Sequence, residues 1–309
     1  LAQSFNAMGL SLDAASRHRE ARAAYSLAVP IWRRLALLDN LGTTLHNIGL
    51  SYQRCDSDED AVRHYKEAIA VRRDLCEVDR SSYHLANLGW TLHNMTLSLS
   101  ALDLRFDALQ RCEEAVIVRR QAARLDLGAT PELAQSLYSK GEYLTGLGRE
   151  EKAVEAFSEA VKLYRMLRQN SGLGAALHNM GISLGAALHD MGVSLAACGR
   201  DQEAVSAFTE AADLRSETSI REPEVTSHLI GLGWTFHNLG SSYLSLGLYM
   251  KAKEFYESAL RMRLRVHEKE PSIAAHLVNL GATSHYLGNC LVHLNQRDSA
   301  VHLYEQAIK

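Results

Sequence analysis

Histidine and carboxamide side chains recur at fixed places along this chain of 309 residues. Three residues before a repeating small residue (Gly9, Gly49, Thr96, Gly141, Gly192, Gly240 and Gly288) stand Asn6, His46, His93, Tyr138, His189, His237 and His285. One place further on stand Ala7, Asn47, Asn94, Ser139, Asp190, Asn238 and Tyr286. An amide offers a donor and an acceptor, so a row of amides can pair with the peptide groups of an extended chain whatever its sequence. The same side chains could instead bond a neighbouring helix or water, and the sequence leaves both uses open. Trp90 and Trp234, six residues before Thr96 and Gly240, add the residue type most enriched at binding hot spots, with packing against a preceding helix as the competing use. The candidate peptide-binding set is therefore His46, Asn47, Trp90, His93, Asn94, Tyr138, His189, Asp190, Trp234, His237, Asn238 and His285.

Fourteen histidines also raise the question of metal. Ladder histidines on successive helical hairpins would stand roughly 10 Å apart, whereas the ligands of one zinc ion each lie about 2 Å from it. No metal and no cofactor is expected on that ground. Imidazoles that titrate near 6.5 in a shared cleft suggest a response to pH instead. No Gly-rich phosphate loop, HExxH, GxSxG or paired-carboxylate arrangement occurs, so the expected activity is binding and not catalysis. Asn94-Met95-Thr96 matches a glycosylation sequon but falls in a helical pattern and is discounted.

The 33 basic and 36 acidic residues nearly cancel, which argues against nucleic acid or an acidic membrane as partner. With 47% apolar residues and only 4 prolines the chain reads as ordered and helix-permissive. No stretch approaches 18 uninterrupted apolar residues. The five cysteines form no CxxC pair, so a reducing cytoplasmic setting is expected. Beginning at Leu1 without Met and ending in a helical pattern, the chain reads as a piece of a longer protein. Arginines near the ends of second helices (Arg33, Arg72, Arg73, Arg119, Arg120, Arg165, Arg215, Arg263, Arg265) suit helix C-termini, or else a basic edge for an acidic partner.

These side chains need a scaffold, and the spacing supplies one. Twelve residues after each small residue stands an alanine: Ala21, Ala61, Ala108, Ala153, Ala204, Ala252 and Ala300. Four further on stand Tyr25, Tyr65, Cys112, Phe157, Phe208, Tyr256 and Tyr304, and three beyond those a second alanine, Ala28 through Ala307. Spacings of four and three share one helix face, so each unit is a helical hairpin that must stack on its neighbours to bury that face. The third unit, with Thr96 for Gly and Cys112 for a ring, is expected to pack more loosely. Pro131, Pro223 and Pro271 are read as first-turn residues of long helices, and Pro30 is expected to kink or end the second helix of an irregular first hairpin. Residues 174–195 are a tandem duplication, GAALHNMGISL then GAALHDMGVSL. Eleven residues make close to three helical turns, so one long helix starting near Ala175 is expected, after a turn at Ser171-Gly172-Leu173-Gly174.

The Gly, Ala, aromatic, Ala pattern resembles the tetratricopeptide repeat along nearly the whole chain. The intervals of 40, 47, 45, 51, 48 and 48 residues exceed the usual length of about 34, and the closer likeness is to the long repeats of kinesin light chain. The resemblance implies an all-α, right-handed superhelical α-solenoid of about seven hairpins (1–40, 41–79, 80–129, 130–171, 172–221, 222–269 and 270–309) as a single domain. It also implies that the ladder lines a concave groove, as similar asparagine ladders do in kinesin light chain and in the enzyme that attaches N-acetylglucosamine to proteins. The function implied is a protein-interaction module for an extended peptide or a partner helix. The alternatives are the regulatory or sensor arm of a larger enzyme or signalling protein, and a scaffold that self-associates through its terminal hairpins. The Lys/Arg clamp with which some members hold acidic chaperone tails is missing from the ladder.

Overall fold

A computed structural model describes residues 1–170 and 174–308 and is all α, with fourteen α-helices and no strand among the described residues. The chain divides into two compact units, Leu1–Leu147 and Gly148–Lys309. The first contains hairpins α1 (Ala2–Ala14) with α2 (His18–Arg34), α3 (Leu38–Gln53) with α4 (Asp58–Val78) and α5 (Ser82–Ala101) with α6 (Arg105–Leu125), followed by α7 (Thr130–Gly146). The second begins with α8 (Glu150–Asn170) and continues with α9 (Gly174–Ala197) and α10 (Asp201–Arg221), α11 (Thr226–Ser245) and α12 (Tyr249–Lys269), and α13 (Ala274–His293) and α14 (Arg297–Ile308). Within each unit successive helices pack on one another, which is the architecture of an α-helical repeat solenoid.

Each hairpin turns at the same place. Seven residues past the small residue the backbone enters the left-handed region at Ser16, Asp56, Asp103, Gly148, Gly199, Gly247 and Asn295, with φ between 54° and 72°. The next residue's N–H then reaches back to the last turn of the first helix: Arg17 to the Leu12 carbonyl at 2.8 Å, Leu104 to Leu99 at 2.9 Å and Leu248 to Tyr243 at 2.9 Å. This 6→1 bond satisfies a helix-end carbonyl, and Gly, Asn or Asp at the left-handed position keeps the turn cheap.

The small residue makes room for a ring more than for a second backbone. A Cβ on Gly9, Gly49, Gly192 or Gly288 would stand 2.4 to 2.7 Å from the aromatic ring sixteen residues on, closer than real Cβ atoms come. The rings of Tyr25, Tyr65 and Phe208 are almost fully buried, as are the paired alanines from Ala21 and Ala28 to Ala252 and Ala259. In the third unit the exchange is complementary: a larger Thr96 faces a smaller Cys112, and both are buried. The looser packing expected there is not observed, because what one side gains in volume the other gives up.

Pro131 does sit in the first turn of α7. Pro223 and Pro271, in contrast, lie in turns three residues before α11 and α13, closed by Val225 N–H to the Glu222 carbonyl at 3.1 Å and Ile273 N–H to Glu270 at 3.3 Å. Proline's fixed φ suits the second position of such a turn as well as a helix start. Nor does Pro30 break α2, which runs through it to Arg34 but is 17 residues long where α4, α6, α8, α10 and α12 have 21. The duplicated segment forms one continuous helix of 24 residues, as expected. Of the turn expected before it, Ser171 to Leu173 lie outside the described residues.

Candidate functional site

Three of the five ladder histidines, His46, His189 and His237, sit buried between hairpins. His46 on α3 is 4% exposed; its Nδ1 lies 3.2 Å from Thr91 Oγ1 and its Nε2 3.3 Å from Asn94 Nδ2, both on α5. His189 repeats the arrangement with Thr235 at 3.2 Å and Asn238 at 3.5 Å on α11. His237 repeats half of it, with Thr283 at 3.3 Å on α13 and the Tyr286 ring edge-on where the amide would be. Thr91 hands its own proton to the Asn87 carbonyl at 3.0 Å, so it can only accept from the imidazole, and Asn94 can then only donate to Nε2. The network thus selects the neutral Nδ1–H tautomer.

A cation completes four of the junctions, buried at Arg72, Arg119 and Arg263 and half-buried at Arg215. Arg72 on α4 donates to the Asn87 carbonyl at 2.6 Å and to Thr91 Oγ1. Arg119 on α6 donates to the Glu132 carbonyl at 2.9 Å and to Ser136 Oγ at 2.6 Å on α7. Arg215 on α10 reaches the Gly231 carbonyl at 2.7 Å and Thr235 Oγ1 at 2.6 Å, and Arg263 on α12 reaches Asn279 and Thr283. Each of the four stands 23 residues after its small residue, and each bonds a hydroxyl that stands five before the next one. Glycine seven before the small residue clears the way: a Cβ on Gly89 would lie 2.8 Å from Arg119 Cγ. Burial lowers the Arg72 and Arg263 guanidinium groups to about 10, so both remain charged at neutral pH.

Three sequence-based expectations are corrected here. His46, Asn94, His189 and His237 are buried and engaged by their neighbours, so they do not line an open groove. The hydrogen bonds that an amide or imidazole can make to a peptide are made to the following hairpin instead. Nor do these histidines respond near neutral pH: burial first, and then the nearby arginine, lowers His46 and His189 to about 3, and His93 and His237 to about 4. Arg72, Arg119, Arg215 and Arg263 neither cap helix ends nor form a basic edge. Arg33, Arg73 and Arg165 are paired on the outside, with Glu67, Glu114 and Glu210 of the next second helix.

Other candidates remain accessible. Trp90 is 49% exposed and Trp234 40% exposed. The two differ in what lies beneath them. The Arg263 guanidinium stacks 4.6 Å from the Trp234 ring centre, which ties that indole to the junction. Trp90 opens on a cavity of about 310 Å³ lined by Ala86, Asn87, Arg119, Ala122 and Ala129 among others. Tyr83 and Leu97, seven residues either side of Trp90 and also exposed, continue its stripe along α5. Neither was singled out from the sequence, although heptad spacing from Trp90 marks both. Asn47, His93 and Tyr138 in the first unit, and Asp190 and Asn238 in the second, are half-buried, and His285 is exposed with Asn289 3.4 Å from its Nε2.

The repeat frame, the left-handed turn and the Gly–ring contact are now joined by family evidence. A tetratricopeptide-repeat family model matches residues 1–74, and a second matches 134–165 and 235–264. Where the models match, the helices are tetratricopeptide repeats. Solved structures of tetratricopeptide-repeat type share the fold at low identity. BtubC (BKLC) from P. vanneervenii superposes with a TM-score of 0.57 at 16% identity, over 81% of this chain and 89% of that one. A putative kinesin light chain from Podosopora anserina with nearly identical TPR-like repeats gives 0.52 at 19%, over 74% and 97%. A STAND protein (Signal Transduction ATPase with Numerous Domains) from Pyrococcus horikoshii with a tetratricopeptide repeat sensor gives 0.61 at 12%, over 99% of this chain and 42% of that one. Comparison with curated proteins gives no match. Tetratricopeptide repeats generally mediate protein–protein interaction and are typically a non-catalytic scaffold.

Proposed function

We propose that the chain is a non-enzymatic protein-interaction module that holds an extended peptide or a partner's helix against the exposed face of α5, with Trp90 as the anchor. The observation that carries this reading is Trp90 itself: half exposed, beside a cavity of about 310 Å³, and in line with the exposed Tyr83 and Leu97. An aromatic that already stands beside a cavity can bury an apolar partner side chain with little reorganisation. His93, close to the Trp90 ring at 6.3 Å, adds a polar border. In the second unit Trp234, Asp190 and Asn238 offer a more polar counterpart on α9 and α11. The five cysteines are all free, which suits a reducing, cytoplasmic setting.

Selection of peptides from a displayed library against the chain tests this reading. The enriched peptides are expected to lose at least about tenfold in affinity, about 1.4 kcal/mol, when Trp90 becomes Ala, and peptides that bind the variant equally well would contradict it. A second reading, the sensor arm of a larger signalling protein, draws on the STAND likeness, in which the matched repeats make up 42% of the partner structure. Sequence flanking this chain that encodes a nucleotide-binding domain would favour it.

A further inference from the structure

Outside the ladder, three ligating groups of the second unit converge. His178 stands in the first turns of α9, Glu222 follows α10, and His228 stands in the first turn of α11. Glu222 Oε1 lies 3.1 Å from His178 Nε2, and Oε2 lies 2.6 Å from His228 Nε2. One ligand atom from each residue falls within 4.8 Å of the others. The two imidazoles meet edge to face with centres 6.5 Å apart. The histidine side chains are each 15% exposed and Glu222 is 43% exposed, so the cluster is held by packing yet reachable from solvent.

The repeat frame shows what sets this cluster apart. Glu222 and His228 stand 18 and 12 residues before Gly240, and Glu270 and His276 stand at the same distances before Gly288. The second pair makes the same contact, at 2.9 Å. A third residue approaches each carboxylate from 14 before the preceding small residue: Thr226 stands beside Glu270, and His178 faces Glu222. One frame therefore occurs twice, with a hydroxyl in one copy and a third metal-ligating nitrogen in the other. His178 belongs to the first copy of the tandem duplication and is the counterpart of the ladder residue His189 in the second. Copying a ladder histidine eleven residues upstream, three helical turns along the same face, brought an imidazole to a position where the ladder has no rung.

We propose that His178, Glu222 and His228 form a binding site for one divalent transition-metal ion of the zinc, cobalt or nickel class. Two imidazole nitrogens and a carboxylate are a recurrent ligand set for such ions. Ligands about 2.0 to 2.2 Å from a tetrahedral ion stand roughly 3.3 Å from one another, and the present separations of 3.1 and 2.6 Å to the carboxylate, with all three ligand atoms within 4.8 Å, bracket that spacing. The remaining coordination positions go to water, because no fourth ligating side chain joins the cluster among the described residues. The ion would tie α9 to the start of α11 and so clamp two consecutive hairpins, which is a stabilising role and not a catalytic one. The sequence argument against metal weighed only histidines on equivalent rungs, and it missed this site because the ligands come from different positions of the frame.

Titration calorimetry with zinc on the full chain, purified without a histidine tag, tests the proposal beside two variants. The wild type is expected to bind one equivalent, and His178→Thr, which installs the residue the following unit already carries there, to bind at least about tenfold more weakly. Thr226→His, which completes the frame around Glu270 and His276, is expected to raise the stoichiometry from one to two. Zinc should raise the melting temperature of the wild type and not that of His178→Thr, whereas both should unfold alike without metal. Absence of saturable binding by the wild type, or affinity unchanged in His178→Thr, would overturn the proposal.

Discussion

His46 on α3 gives its Nδ1 proton to the hydroxyl of Thr91, 45 residues ahead on α5 and 3.2 Å away. That bond, with the Arg72 guanidinium on the same oxygen, joins three helices of two hairpins at one atom. A stacked-repeat protein is held by the interfaces between its units, and here four of these interfaces are built around an arginine whose hydrogen bonds are made to the next repeat.

Removing the shared oxygen should be costly. Thr91→Val keeps the shape but leaves the Arg72 donor and the His46 Nδ1–H without their partner. A loss of about 1 to 3 kcal/mol is expected in urea unfolding, and Ser206→Ala on the exposed face of α10 should cost far less. In a double-mutant cycle, His46→Phe and Thr91→Val should be less harmful together than the sum of the two single changes.

The Gly–ring contact gives a second test. Gly49→Thr drives a side chain into the Tyr65 ring, where even a Cβ would stand 2.6 Å away, and should destabilise by about 1 to 3 kcal/mol. Adding Tyr65→Cys should recover part of the loss, because the third unit already carries Thr96 opposite Cys112. Thermal melts of the single and double variants decide it; a double variant no better than the single would show that the two positions are not coupled.

Acid should loosen the repeats. His46, His93, His189 and His237 have folded values of about 3 to 4, below the value near 6.5 of a free imidazole. Between those limits the unfolded chain takes up protons that the folded chain does not, so stability is fully present above pH 6.5 and falls as pH falls toward 4. Each fully buried histidine steepens the slope by up to about 1.4 kcal/mol per pH unit. Urea midpoints measured from pH 7 to pH 4.5 should decline, and His189→Phe should flatten the decline.

Trp90 carries no such structural duty. Trp90→Ala should change the melting temperature by no more than the equivalent of about 0.5 kcal/mol, the range of surface substitutions, while peptide capture is lost. Trp234→Ala should cost more, because it uncovers the Arg263 cation that its ring covers.

Much of the fold was legible in the sequence because periodic burial leaves periodic residues: the Gly, Ala, ring, Ala pattern named every hairpin, and the duplication named the length of α9. The site was read less well, for a definite reason. A polar residue on the face opposite the hairpin's own packed face looks solvent-directed when one unit is considered alone. In a stack the next unit covers that face, and the sign of it lay in the next unit's residues, namely the hydroxyls Thr91, Thr235 and Thr283 and the arginines 23 residues past four of the small residues. Where the arginine gives way to Tyr164 the hydroxyl gives way to Ala187, whereas at the first junction Trp32 replaces the arginine and the hydroxyl is kept, as Thr44 bonded to Asn6. The four arginine–hydroxyl pairs were available within one chain, and they pointed to pairing between hairpins.

The most direct test of this arrangement is the protonation and tautomer of the buried imidazoles, read by nitrogen-15 NMR of histidine-labelled protein from pH 7 to pH 5. The account predicts that His46, His189 and His237 stay neutral, as the Nδ1–H tautomer, throughout that range. Titration of these three with midpoints near 6.5, or a predominant Nε2–H form, would show them open to solvent and would contradict it.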